Sequence, residues 1–182
     1  MARTFDVIEP ARNPRAFVLA VTLVPALIAI AGIYAFLRPP PPPFLGVAIV
    51  AAMLLPNVLI ARWADRRSVT LEGSELRIEA AMATRTLDAG AFDLDRARVV
   101  RLDEHPEWRP FLRTGGLGMP GLSLGWFRTR GLVRIFCILT DRQRVLLLPL
   151  REGKEAVLLS LKRPEDLLSA LRAAHDAAPR RR

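Results

Sequence analysis

The spacing of hydrophobic positions changes near residue 68: before it apolar side chains run on without interruption, and after it they come in short alternating bursts. Residues 16–37, AFVLAVTLVPALIAIAGIYAFL, hold 22 positions without a charge. At a rise of about 1.5 Å per residue that run covers roughly 33 Å, against a hydrocarbon core of about 30 Å. A second run, FLGVAIVAAMLLPNVLIA at 44–61, is shorter and carries Pro56 and Asn57 near its end. The pattern predicts transmembrane helices over 16–37 and 44–63. A cleaved signal peptide is the rival reading, but the first run exceeds the usual apolar region of such a peptide and a second run follows at once. Between them RPPPPP, residues 38–43, cannot stay helical, because proline lacks the amide donor and clashes with the preceding turn. A short external elbow and a helical hairpin are expected.

Beyond residue 68, SVTLEG and ELRIEA flank Gly73 and Ser74, a hairpin signal, and ATRTLD follows. ARVVRL at 97–102 reads as a fourth strand. LVRIFCILT at 132–140, QRVLLLPL at 143–150 and EAVLLSL at 155–161 add three more, with Pro149 pointing to an edge position or a bulge. Residues 103–125 show no periodicity and read as a long loop. From Pro164 the chain places acids in a first helical turn and Leu167, Leu168 and Leu171 on one face, the signature of a terminal amphipathic helix. The organisation expected is an N-terminal segment 1–15, the two spans, a β domain over 68–175 and a basic tail 176–182.

Composition supports the membrane segments: the hydrophobic fraction is 51% with a mean hydropathy of +0.22. A net charge of +9 raises the question of nucleic acid, but 25 of the 27 basic residues are arginines scattered along the whole chain, and no nucleic-acid motif accompanies them. Arg3, Arg12 and Arg15 precede the first span, Arg62, Arg66 and Arg67 follow the second, and Arg38 alone lies between. The positive-inside rule then places both termini in the cytoplasm, and juxtamembrane arginines find their simplest partner in anionic headgroups. Small residues at helical spacing, Ala16 with Ala20, Ala31 with Ala35 and Ala48 with Ala52, would permit helix packing or a homo-oligomer.

Candidate chemistry begins with GGLGMPG, residues 115–121, which spells G-x-G-x-x-G at Gly116, Gly118 and Gly121, with Asp141 twenty residues on. A dinucleotide fingerprint needs a strand before it and a helix opening within it, so that phosphate meets free amides. HPEWRPFLR precedes it and LSLGWFRTRG follows, which supply neither. Asp141 reads as a turn residue, and no cofactor is expected. The cluster DEHPE at 103–107 could be imagined as metal ligands or a base with its orienter, yet the only other histidine is His175. A solvated acidic turn is the simpler reading. Cys137 alternates with Val133, Ile135 and Leu139 and reads as an inert core thiol, and Ser123 and Ser160 lack a nucleophile signature.

The stretches RTGGLGMPGLSLGWFRTR (113–130), IFCILTDRQRVLLLPL and SLKRPEDLLSAL together resemble the bacterial pleckstrin-homology-like (PH-like) domain family, in its membrane-anchored form. The resemblance implies a two-helix transmembrane hairpin followed by a mainly-β, partly open barrel of about seven antiparallel strands, capped by a C-terminal α-helix, in a bacterial inner-membrane protein. It carries no defined activity. Eukaryotic PH domains that bind phosphoinositides carry basic residues around the first hairpin, where this chain has Glu72 and Glu75.

Two readings of the 103–125 segment follow. In one, an apolar tip of Leu117, Met119 and Leu122, with Arg109, Arg113, Arg128 and Arg130 facing phosphates, touches the bilayer or a membrane or cytoplasmic protein. In the other, the segment folds back over the barrel with Trp108, Phe111, Trp126 and Phe127 as core. The function expected is a non-enzymatic membrane-tethered scaffold or regulatory subunit. The alternative is a membrane enzyme acting on a lipid or headgroup with its site in residues 103–125.

Overall fold

In the computed structural model residues 2–10, 14–37, 42–81 and 83–177 are described. Most of the proline-rich elbow, the tail beyond 177, and the expectations placed on Arg12, Arg38 and the side chain of Arg15 lie outside them. The chain divides into two units: residues 13–65, and residues 1–12 with 66–182.

The first unit is a pair of helices, α1 (Pro14–Phe36) and α2 (Pro43–Asp65). Each starts on a proline, whose missing amide costs nothing in a first turn. Ala16–Phe36 and Phe44–Asp65 are long and apolar enough to cross a membrane. Phe17, Val21, Leu27, Ile28, Val47, Leu55 and Val58 are exposed on their surfaces, where water would be a poor solvent for them. The helices meet through small and polar groups. The Thr22 hydroxyl lies 2.8 Å from the Val18 carbonyl oxygen and 3.0 Å from Asn57 Oδ1, and Asn57 Nδ2 donates to the Met53 carbonyl at 2.7 Å. Nearer the elbow, the Tyr34 ring covers Gly46 and its hydroxyl donates to the Pro42 carbonyl at 2.9 Å. Of these contacts the Thr22–Asn57 bond joins the two helices, and such a bond contributes about 0.6 kcal/mol in a membrane setting.

The second unit is mainly β. Strands β1 (Ala2–Phe5), β2 (Arg67–Glu72), β3 (Glu75–Ala80) and β4 (Ala83–Asp88) form an antiparallel sheet in that order. The β2–β3 turn is the expected one, with Gly73 at φ +60° opening the two-residue loop. β1 comes from the segment ahead of the helices, which the sequence pattern leaves unstructured. It pairs with β2 from Ala2↔Glu72 to Phe5↔Val69, and Val7 bridges to Leu161 further on. The helical pair is therefore inserted between two paired strands.

A second sheet holds β5 (Arg98–Val100), β6 (Leu112–Met119), β7 (Leu122–Arg128), β8 (Arg134–Leu139), β9 (Val145–Pro149) and β10 (Glu155–Leu159), in the order β5-β9-β10-β8-β7-β6. After β8 the chain skips one place to lay down β9, and β10 fills the gap, antiparallel to β9 and parallel to β8. The expected all-antiparallel set of seven strands is thus corrected. All seven are present, three more join them, and one pair is parallel. Pro149 ends β9 beyond the reach of β5, which pairs only as far as Leu147, so the strand is not an edge.

The barrel does not close: β5 and β6 are unpaired edges of the second sheet. The sheet still curls, because Phe127 of β7 shares one buried cluster with Val100 and Leu102 near β5, together with Ile135, Cys137, Val145, Leu147 and Leu158. β8, β9 and β10 are buried on both faces, which is why they read as continuous apolar runs. Helix α3 (Pro164–Ala177) closes the unit by burying Leu167 and Leu171, one turn apart, while Arg172 donates to the Leu94 carbonyl at 3.4 Å.

The β1–β2 register predicts that Thr4→Cys and Thr70→Cys, directly opposite, form a disulfide on mild oxidation. The double variant should migrate faster on a non-reducing gel, with neither single variant doing so.

Candidate functional site

Residues 112–128 correct the expectation of a loop over 103–125: they form the β6–β7 hairpin, with Met119 opposite Leu122 and a turn at Pro120 and Gly121. Proline sets the first turn dihedral and Gly121, at φ +80°, takes the second. Gly116 and Gly125 face each other across the strands at φ +125° and +102°. A Cβ on Gly116 would lie 2.1 Å from the Leu124 carbonyl oxygen, and one on Gly125 would lie 2.6 Å from the Gly115 carbonyl oxygen. The glycines allow two backbones to approach. A bulge between Arg113 and Gly115 adds to the irregularity.

At the hairpin tip, Arg109, Met119 and Leu122 do come together, around a cavity of about 110 Å³ also lined by Leu102, Ser123, Thr140, Asp141 and Arg142. Arg109 is held by the turn it follows: its Nε donates to the Leu102 carbonyl at 2.7 Å, and Nη2 reaches the Asp103 carbonyl and Oδ1, both at 3.1 Å. Leu122 is buried, Leu117 and Met119 are half-buried, and Leu117 pairs with Leu124. Leu122 therefore belongs to the core, while Leu117 and Met119 keep part of their surface exposed. The fold-back reading holds for Phe127, which is buried, and for Trp108, which packs against the same cluster. It fails for Phe111, which is 68% exposed.

Arg113, Arg128 and Arg130 are exposed, and the Arg113 side chain runs beside Gly118, whose added Cβ would meet its Cδ at 3.7 Å. Leu112, Arg128 and Arg134 stand in one row across β6, β7 and β8, and the Arg130 guanidinium sits 5.5 Å over the Phe111 ring. Of the juxtamembrane set, Arg62 is exposed in the last turn of α2 and Arg66 is exposed before β2. Arg67 opens β2 half-buried, with its Nη1 buried and unpartnered.

Sequence spacing gives no sign of the charge cluster that ties the two sheets. Arg85 of β4 pairs with Glu155 of β10, at 14% and 22% side-chain exposure, and Arg134 of β8 reaches the same carboxylate at 3.3 Å. Both guanidiniums sit over Trp126 of β7, at 4.6 and 4.1 Å from the ring centroid, and Phe136 meets that ring edge-on at 4.9 Å. Two guanidiniums, from β4 and β8, thus share one carboxylate and one aromatic face.

The acidic stretch 103–107 is spread among separate partners. Asp103 accepts from Arg109 and from Gln143 Nε2 at 2.9 Å, Glu104 pairs with Arg101 at 2.9 Å, and His105 Nδ1 lies 3.0 Å from Glu107 Oε1. Its own backbone amide, and then His105, hold the Glu107 carboxyl below the usual value, which weakens it as a base. Among the described residues no group of His, Cys, Asp and Glu gathers as metal ligands would. Burial pushes the Cys137 thiol far up, so it stays protonated and unreactive.

The two halves of the glycine motif should differ on substitution. Gly116→Ala forces a side chain into backbone and should lower stability by about 3 kcal/mol or more. At Gly118 a Cβ would meet the Phe127 ring at 3.5 Å and the Arg113 Cδ at 3.7 Å, ordinary contact distances to side chains, so Gly118→Ala should stay within about 1 kcal/mol. Thermal unfolding followed by tryptophan fluorescence measures both.

No family model, curated protein or solved structure matches the chain.

Proposed function

We propose that the chain is a non-enzymatic, membrane-tethered module: α1 and α2 cross a bacterial inner membrane as a hairpin, and a PH-like β unit on the cytoplasmic side binds lipid headgroups or a protein partner. The observation that carries this reading is the pairing of β1 with β2 around two helices whose surfaces are apolar and exposed. Strands that pair must lie on one side of whatever the intervening helices cross, so an even number of crossings fits the ladder. Arg3, Arg62, Arg66 and Arg67 flank the spans on that side, and the positive-inside rule makes it the cytoplasmic one. Two sheets and a closing C-terminal helix support the PH-like reading.

A scaffold or regulatory role fits the chemistry better than the alternative of a lipid-directed enzyme. The acids of residues 103–107 are each engaged by their own partner, and the half of the segment beyond Leu112 is a strand-forming hairpin.

Native mass spectrometry on the chain released from membranes in mild detergent tests this. An anionic phospholipid or a protein held in stoichiometric amount is expected. A bare chain, or lipid turnover by the purified protein that His105→Ala or Glu107→Ala abolishes, would replace this reading with the enzymatic one.

A further inference from the structure

Among the described residues of the β unit, three large apolar side chains are exposed: Phe111 at 68%, Leu112 at 52% and Leu132 at 67%. They share one end of the second sheet. Leu112 pairs with Arg128 at the end of β7, and the Phe111 amide donates to the Arg128 carbonyl at 2.9 Å. Leu132 lies in the turn that joins β7 to β8, closed by Leu132 N–H to Thr129 O and Thr129 N–H to Val133 O, both at 3.0 Å. Leu132 adopts φ +60°, a left-handed conformation that a branched side chain resists. The neighbouring Gly131 would adopt it without strain. An exposed leucine in a strained turn is a costly arrangement in water, and it points to a contact outside the fold.

The same end carries Arg128 and Arg130, both exposed, whereas Arg113, opposite Phe127, directs its side chain toward Gly118. Among the described residues neither Arg128 nor Arg130 has a carboxylate partner, whereas Arg85 and Arg134 share Glu155. Arg130 instead covers the Phe111 ring. An apolar centre with unneutralised guanidiniums around it is complementary to an anionic bilayer surface, where apolar groups enter the acyl boundary and cations meet phosphates. A protein partner suits it less well, since stable interfaces engage about 20 to 30 residues a side and this centre offers three apolar side chains.

We infer that this end of the β unit is a bilayer-docking surface: Phe111, Leu112 and Leu132 insert at the headgroup boundary, and Arg128 and Arg130 bind anionic lipid headgroups. The inference rests on the proposed membrane anchoring by α1 and α2 and adds to it a second contact, made by the folded β unit.

The test uses the full chain in nanodiscs whose acyl chains are brominated, made with or without phosphatidylglycerol in phosphatidylcholine. An environment-sensitive fluorophore is attached at Leu132→Cys, at Arg142→Cys at the other end of β8, or at Val24→Cys in α1, with the buried Cys137 remaining unlabelled. Quenching of the Leu132 label at least about twofold beyond the Arg142 label is expected in anionic discs, with loss of that excess on Arg128→Glu with Arg130→Glu or when phosphatidylglycerol is left out. If the Val24 label is quenched and the Leu132 label matches the Arg142 label, the docking surface is overturned while the anchor stands. An excess that is the same in neutral discs overturns the arginine contact with anionic headgroups and the proposal with it. A Leu132 label protected from aqueous iodide yet untouched by brominated lipid means that protein covers the patch, which also overturns it. An unquenched Val24 label removes both the anchor and the docking surface.

Discussion

The hydrogen-bonded ladder between residues 2–5 and residues 69–72 is the constraint on which the architecture depends. It joins strands separated in sequence by two apolar helices, and so turns those helices into an insertion within a folded sheet. Closing so long a loop is entropically unfavourable, though the cost rises only with the logarithm of its length. Packing between the helices offsets part of it: Thr22 and Asn57 meet near one end of the pair, Tyr34 and Gly46 near the other. On the proposed membrane reading the ladder also restricts topology, because a chain that enters α1 after β1 and leaves α2 before β2 would have to return to the side it left.

The β unit is made rigid by a different device. β8, β9 and β10 are buried on both faces, and the Arg85–Glu155–Arg134 cluster on Trp126 links the first sheet to the second. Removing one partner from such a half-buried cluster leaves a charge without its counter-ion, which is the expensive case. A rigid frame of this kind suits a recognition module, since surface turns such as residues 129–133 and 109–111 then hold their side chains in fixed positions. The strained Leu132 depends on that frame to keep its conformation.

Much of the fold was legible because its strands obey simple patterns. The turn at Gly73 and Ser74, the continuous apolar runs of β8 to β10 and the Pro164 start of α3 each follow from local chemistry. The β6–β7 hairpin was not legible. Leu124 and Trp126 lie on one face of β7 and Gly125 and Phe127 on the other, so no alternation survives, and the glycines that permit the close strand approach look like loop residues. β1 was hidden for another reason: ARTF carries no pattern of its own, and its partner is far along the chain. Of the candidate contact residues, Arg113, Arg128 and Arg130 are exposed as a contact surface requires, whereas Leu122 is core and Arg109 braces its own turn. The exposure of Phe111 and Leu112 within PFLR depends on tertiary packing that the local sequence does not encode.

The central claim is that two spans, clamped by a strand pair, leave the N-terminal strand and the β unit on one side of a membrane. Cysteine accessibility in sealed vesicles of known orientation tests it most directly, with a membrane-impermeant reagent applied to Arg3→Cys, Glu152→Cys and Pro40→Cys. The account predicts that positions 3 and 152 react from the cytoplasmic side and position 40 from the opposite side. Labelling of positions 3 and 152 from opposite sides would contradict it.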